Sequence, residues 1–498
     1  MTLTFTDWVC DWAPMPQLGT GGIDLADFFC GAGGSAVGAK LIPGIELKVA
    51  ANHWDLAIET HASNHPETEH ICADISQYDP RLFPRTRWAW LSPSCTHHSI
   101  AQGVRAADAQ PDLFGDVLPD AAAERSRATM WDVVRFAEYH RYEVVFVENV
   151  VEVTKWPPFR SWLLAMESLG YEHQVIMLNS MHAQLYGPGA PQSRDRFYCV
   201  FWRRGMRAPA LHRLTRPRAV CPECGPVRAM QSWKRPGNTI GKYRSQYVYR
   251  CPNTACRNHI VEPAVRPAAD IIDWDLVGTR IGDRTRPLAD KTMARIRAGI
   301  ERYWAPIAVP VEGRGGKQAR PTSEPLRTAT ARNETGLAFI AELRGGGSKH
   351  RPVTDPLATV TASGNHHGLV TSFYGATRSA QPTDSPLPSV TTVEKMGLIT
   401  RHFGSAPGQE ATFTTPTDEP LRTITTRGNQ SLMTGASIDV DDVYFRMLEP
   451  REYKRAMDFP SDYLLKGNRR EQVRQAGGAV TPPVSRDLVG VTVEGMAS

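Results

Sequence analysis

The strongest constraint on this chain is an alternation. Between residues 23 and 203, short apolar runs repeat, separated by segments of helical spacing. IDLADFFC (23–30), ELKVAAN (46–52), ICADI (71–75), RWAWLSPSC (87–95), EVVFVENV (143–150), YEHQVIMLNS (171–180) and RFYCVFWRR (196–204) read as strands. Helical patterns start at Ser35 and recur in WDLAIETHASNH (54–65), RATMWDVVRFAEYHR (127–141) and FRSWLLAMESLG (159–170), the last closed by Gly170 as a C-cap. Strands that alternate with helices imply an α/β fold with a doubly wound, mostly parallel sheet. Ligands of such sheets sit beyond the carboxyl ends of the strands. The polar turns GAGG, SPSC and ENV fall at those ends.

The chain then changes character. Residues 203–218 carry six Arg and no acid, and four cysteines follow. PLADKTMARIRAGIERYW (287–304) has helical spacing. Four related cores come next: RPTSEPLRTATA, RPVTDPLATVTA, QPTDSPLPSVTT and TPTDEPLRTITT, with prolines at 321, 352, 382 and 416. Each is followed by a turn signal and a short apolar run, which predicts repeated β-hairpins over about 320–435 that lean on one another. The last 60 or so residues return to helical patterning in VYFRMLEPREYKRAMDFP and REQVRQAGGAVTPPVSRDLVGVTVEGM.

Bulk properties exclude some classes. No run approaches the roughly 20 apolar residues that span a membrane. The N-terminus has no basic stretch followed by an apolar core, so it does not read as a signal peptide. Nine cysteines, five scattered and four clustered, fit a reducing, cytoplasmic setting better than a disulfide framework. A net charge of +5 is compatible with nucleic acid without arguing for it.

Several residues could carry chemistry. Cys95 follows Ser and Pro at a strand end; an isolated cysteine is commonly a small buried hydrophobe, but one at such a cleft becomes a nucleophile if a base or a lowered pKa supplies thiolate. Glu148 closes a strand of Val and Phe and is either a cap or surface acid, or a partly dehydrated carboxyl able to share a proton. The Gly-rich turn in DFFCGAGG would let backbone approach a ligand closely, though it lacks the dinucleotide spacing. In QSRDR (192–196), Arg194 and Arg196 alternate at the start of a strand and would face one side, as a solvated edge or an anion clamp. Cys221-x2-Cys224 and Cys251-x4-Cys256, separated by 26 residues, suit tetrahedral Zn²⁺ with four thiolates, with His259 as an alternative to Cys256.

In this order, these segments resemble the DNA (cytosine-5) methyltransferases of bacteria and phages. DFFCGAGG resembles the cofactor motif D-L-F-C-G-A-G-G, and SPSCTHHS the nucleophile motif P-P-C-x-x-x-S. FVENV resembles the E-N-V motif, and YGPGAPQSRDRFY the Q-x-R-x-R motif. RMLEPREYKRAMDFP and QAGGAVTPPV resemble the two closing motifs. The resemblance implies a Rossmann-like, S-adenosylmethionine-dependent catalytic fold with a large β-rich target recognition insert. The corresponding division is an N-terminal extension (1–22), a first catalytic part (23–203), an insert (204–435) with a zinc-ribbon-like piece (219–260), and a closing segment (436–498). It implies that Asp27, Phe29, Gly31, Gly33 and Ser92 line the cofactor site, that Trp54 stacks on its adenine and that Asp74 binds near the adenine amino group. Cys95 would attack C6 of a flipped-out cytosine, Glu148 would protonate N3, and Arg194 and Arg196 would hold the base and support the site. The implied partners are double-stranded DNA and a cognate restriction endonuclease, for a monomer with no membrane association. Three positions depart from the pattern: Ser94 for the second proline of P-P-C, His53 for an acid that grips the ribose, and Gly478 for the Asn of G-N-A-V. Two other readings are an RNA cytosine-5 methyltransferase and a DNA-binding protein with a decayed core.

Overall fold

The computed structural model describes residues 12–18, 21–93, 121–276, 278–290, 292–294, 296–297, 307–310, 317–328, 335–339, 397–401, 414–416, 430–434 and 440–497. At its centre are seven strands: β1 (Ile23–Phe28), β2 (Ile45–Asn52), β3 (Glu69–Cys72), β4 (Trp88–Leu91), β5 (Val144–Asn149), β6 (Tyr171–Asn179) and β7 (Asp195–Arg203). They form one sheet in the order β3-β2-β1-β4-β5-β7-β6. The first five are parallel, and β7 runs antiparallel between β5 and β6. Helices α1 (Gly34–Lys40), α2 (Asp55–Asn64), α3 (Ala121–His140) and α4 (Phe159–Ser168) make the crossovers. The chain winds outward from β1 to β3 and then returns to the other side of β1. The switch point between β1 and β4 is where such sheets open a ligand crevice.

The apolar runs lack polar alternation because both faces of the sheet are covered. On β5, Val144 and Phe146 enter one core with Trp88, Trp90 and Val200. Val145 and Val147 enter the other with Ala89, Leu91 and Cys199. Gly170, two residues past α4, adopts φ 90°, the left-handed conformation expected of it.

Three helices close the fold: α5 (Pro450–Ala456), α6 (Arg469–Gly478) and α7 (Pro482–Ala497). α7 lies against α1, and glycine permits the approach. A Cβ on Gly34 would stand 1.9 Å from the Val480 carbonyl oxygen, and one on Gly38 would stand 2.2 Å from that of Pro482. The Asp487 carboxylate accepts the amides of Leu185 and Tyr186, tying α7 to the loop after β6.

The observed elements differ from the expected ones in places. The strand read over ICADI stops at Cys72, because the Asp74 side chain accepts the Ser76 amide and starts a tight turn. In VYFRMLEPREYKRAMDFP the helix begins only at Pro450, capped reciprocally by Glu449 and Glu452. Tyr444–Met447 ahead of it is a strand. The final helical pattern is two helices, parted at residues 479–481. Of 287–304, residues 287–289 are not helical, residues 290, 292–294 and 296–297 are helical, and the rest lie outside the described residues.

Beyond β7 the described chain is rich in antiparallel strands. Arg218–Cys221 pairs with Gly225–Arg228, and Tyr247–Arg250 lies between Met230–Trp233 and Ile260–Val261. A five-stranded sheet contains Thr279–Arg280, Tyr444–Met447, Thr335–Phe339, Ile307–Pro310 and Arg320–Pro321, in that order. In the later repeats, Gly397–Arg401 pairs with Thr414–Pro416 and Gln430–Thr434. Most of the repeat cores lie outside the described residues. No helix among the described residues is long and apolar enough to cross a membrane.

Candidate active site

The expected cofactor residues lie along the carboxyl edge of β1 to β4. The turn after β1 winds through three left-handed residues, Phe29 (φ 58°), Gly31 (φ 53°) and Gly33 (φ 83°). Beside Gly31 the space where a Cβ would stand is open to 4 Å. Gly33 is a packing position instead: a Cβ there would meet Tyr463 Oη at 2.5 Å and the His61 ring at 2.8 Å. Tyr463 in turn donates to the Ala32 carbonyl at 2.6 Å, so the closing segment props the turn.

Asp27 lies under this turn and is fully buried. Its Oδ2 accepts from Ser35 Oγ at 2.6 Å, while Oδ1 is buried without a hydrogen-bond partner among the described residues. Burial outweighs the Ser35 bond and pushes the carboxyl up to about 7. After β2, the Asn52 side chain accepts the Trp54 amide at 3.0 Å. Trp54 is half-buried, and the Arg474 guanidinium of α6 lies 4.3 Å over its ring. Asp74 follows β3 and is exposed; its carboxylate also accepts from Gln77 Nε2 at 2.7 Å. Ser92 follows β4: its amide bonds the Phe28 carbonyl at 3.1 Å and its Oγ accepts from Trp90 Nε1 at 3.0 Å.

At the end of β5, Glu148 is 8% exposed and lies 3.0 Å from Arg196 Nε. Asn149, next to it, donates to the Pro93 carbonyl at 3.2 Å and so joins the ends of β4 and β5. Cys95 and Ser94 lie outside the described residues. Arg194 does not join Glu148. Its guanidinium donates to the carbonyls of Gly477 at 3.1 Å and Ala479 at 3.0 Å, at the C-terminal end of α6. The two arginines do not face one side, because the extended chain is interrupted at Arg194: Gln192–Ser193 pairs with Leu326–Arg327, β7 begins at Asp195, and the Arg194 amide is taken by Asn179 Oδ1.

The structure brings together residues that the sequence reading did not connect. Asn149 reaches across to Pro93, Arg474 covers Trp54, and Tyr463 and His61 pack on Gly33. Each contact spans two or more elements, so local spacing carries no trace of it. The only advance signal is that Asn149 sits beside Glu148 in the E-N-V motif.

The sulfur atoms of Cys221, Cys224, Cys251 and Cys256 all lie within 4.8 Å of one another. Cys221 and Cys224 sit on the hairpin turn joining Arg218–Cys221 to Gly225–Arg228. Cys251 and Cys256 follow the strand Tyr247–Arg250 and are held by a turn in which Asn258 donates to the Cys251 carbonyl. Cys256 rather than His259 completes the group; His259 is exposed.

A seven-stranded sheet of this order, with a glycine turn after β1, defines an S-adenosylmethionine-dependent methyltransferase fold. The family model described as C-5 cytosine-specific DNA methylase matches residues 23–223 and 347–493, and the chain belongs to this family. No curated protein matches the chain. Among solved structures it is similar to an Escherichia coli protein titled as a DNA modification methyltransferase encoded within a prophage, at 12% identity, TM-score 0.42, with 96% of this chain and 100% of that one covered. It is similar to a mutant of Spodoptera frugiperda DNMT2 at 14% identity and TM-score 0.44, covering 94% and 99%. It is also similar to Schizosaccharomyces pombe Dnmt2 at 12% identity and TM-score 0.45, covering 95% and 98%.

Proposed function

We propose that the protein methylates C5 of a flipped-out cytosine in duplex DNA through a covalent bond between Cys95 and C6. The observation that carries this reading is the Glu148–Arg196 pair at the carboxyl end of β5, with Asn149 fastened to Pro93 two residues ahead of Cys95. Cytosine C5 is a poor nucleophile until a thiolate adds at C6. The Cys95 sulfur would supply that electron pair. Glu148 would hydrogen-bond and protonate N3, taking up the charge that develops on the ring. Arg196 would hold the Glu148 carboxyl in place. After methylation, loss of the C5 proton and departure of Cys95 restore aromaticity. The base cannot be reached inside a duplex, so it is extruded at a cost of about a few kcal/mol.

The chain's residues fit S-adenosylmethionine. The open space at Gly31 leaves the backbone of the turn approachable, Trp54 offers an aromatic face opposite Arg474, and Asp74 offers an exposed carboxylate. Phe29, Gly31, Trp54, Asp74 and Ser92 would hold the cofactor, with Asp27 supporting the turn from below and Gly33 shaping it. When bound, S-adenosylmethionine supplies an electrophilic methyl group on a sulfonium.

A nucleic-acid substrate is favoured by local charge. Residues 204–260 contain twelve Lys and Arg against one acid, Glu223, although the whole chain carries only +5. Each phosphate that such a surface neutralises adds about −0.9 to the log–log salt slope of binding. Residues 204–435 would supply the surface that reads sequence around the target. The four clustered cysteines would hold a structural Zn²⁺, whose tetrahedral bonds of about 2.3 Å place sulfurs about 3.8 Å apart.

The test is methyl transfer from labelled S-adenosylmethionine to duplex DNA, single-stranded DNA and RNA, with Cys95→Ala as control. The expected result is 5-methylcytosine in duplex DNA that the control does not make. Product on RNA alone moves the reading to an RNA enzyme. Product on none, with DNA still bound, leaves a DNA-binding protein.

A further inference from the structure

Two of the contacts between the four-cysteine module and the catalytic half adjoin Glu148 or Arg196. Lys242 Nζ lies 2.5 Å from Glu152 Oε1. Glu152 belongs to the turn that leaves β5, four residues after Glu148. The Tyr243 amide donates to Asp195 Oδ1 at 3.0 Å, and Asp195 is the first residue of β7, directly before Arg196. Lys242 and Tyr243 lie just ahead of the strand Tyr247–Arg250, which leads straight into Cys251. Behind these contacts, His182 from the catalytic half is buried, its ring edge-on to Tyr243 at 4.6 Å and to Tyr249 at 4.9 Å. Gln231, on the next strand of the module, donates to the Met177 carbonyl of β6 at 2.9 Å.

The position of these contacts matters because of where the ladder ends. β5 and β7 are paired as far as Asn149 and Phe197. Arg196 and Asp195 lie beyond that last pair on the β5 side, held by β6 on their other side. The Lys242–Glu152 and Tyr243–Asp195 contacts continue the link between the two strand ends past the last rung.

We propose that this module acts as a brace on the reaction centre, with Asp195 and Lys242 as positioning residues that hold Arg196 against Glu148. The proposal rests on the catalytic reading of Glu148 given above. A brace predicts that the module's state is felt at the chemical step, and not only in folding.

The experiment compares Asp195→Ala with Asp195→Asn in the full chain, alone and in an Arg196→Ala background. Single-turnover rate, KM for S-adenosylmethionine, metal content and melting temperature are measured together. A loosened pair is expected to lower the single-turnover rate by about tenfold, within the range for small displacements of catalytic groups, with KM and metal content unchanged. Asp195→Asn keeps an oxygen that can accept the Tyr243 amide, so it restores most of the rate. The Ala effect is expected to shrink to about twofold or less without Arg196, since coupled sites are not additive. Equal losses in both backgrounds, or an Asn variant as slow as Ala, overturn the brace. An NMR signal from the Arg196 Nε–H serves as a readout independent of turnover. Protection from exchange in the wild type and the Asn variant, lost in the Ala variant, supports the brace; unchanged protection in all three rejects it. A wild-type chain that methylates nothing defeats the catalytic reading and leaves this signal to judge the brace.

Discussion

Asp27 gives a sharp test of the buried edge beneath the glycine turn. Its carboxyl is fully buried, accepts from Ser35 Oγ and the Ala36 amide, and is still pushed up to about 7 from an ordinary 3.8. A carboxyl whose folded pKa is raised binds its proton more tightly in the folded state. Its contribution to stability is therefore complete below the unfolded pKa and is lost as pH rises through the folded one. The gap of about three units, at about 1.4 kcal/mol each, comes to about 4 kcal/mol over the whole range. About 3 kcal/mol of this falls between pH 5 and pH 8, because at pH 5 the unfolded carboxyl is already ionised. Asp27→Asn cannot titrate, so the stability difference between wild type and variant should change by about that amount across the window, with the wild type losing ground at high pH. Other buried groups, such as His65 and Asp195, titrate in both proteins and cancel in the comparison. The assay is urea unfolding followed by tryptophan fluorescence at half-unit pH steps. Parallel pH curves for the two proteins would refute the reasoning and mean that Asp27 is solvated or fully hydrogen-bonded in solution.

Further outcomes follow from the contacts described. The purified chain should carry about one zinc per molecule by elemental analysis, and Cys251→Ser should lose it; a metal-free wild type would reject the four-thiolate site. Arg194→Ala removes a buried cation from two carbonyls at the end of α6 and should cost about 3 kcal/mol in denaturant unfolding. Gly38→Ala drives a Cβ to within 2.2 Å of the Pro482 carbonyl, so limited proteolysis should release the α7 segment faster than from wild type.

Much of the catalytic half was legible because its signals are local. β5 is apolar on both faces, so Val144 to Val147 announce a buried parallel strand without reference to any neighbour. The turn after β1 was marked by glycines, and the cysteine group by its two short spacings. What escaped depends on distant partners. Tyr444–Met447 is a strand because Thr335–Phe339 and Thr279–Arg280 lie on either side of it, more than a hundred residues earlier. QSRDR reads as one continuous strand start, but the strand breaks at Arg194 between Gln192–Ser193 and Asp195, and that break separates Arg194, which caps α6, from Arg196, which meets Glu148. The link from Asn149 to Pro93 joins residues 56 apart and follows only from β4 and β5 lying side by side.

The central claim is the covalent step at Cys95, and trapping tests it most directly. The protein is incubated with S-adenosylmethionine and mixed-sequence duplex DNA containing 5-fluorocytosine, beside Cys95→Ala. A denaturant-stable adduct is expected with the wild type and none with Cys95→Ala. Methylation of ordinary DNA without any trapped adduct, or an adduct that survives in Cys95→Ala, would contradict that claim.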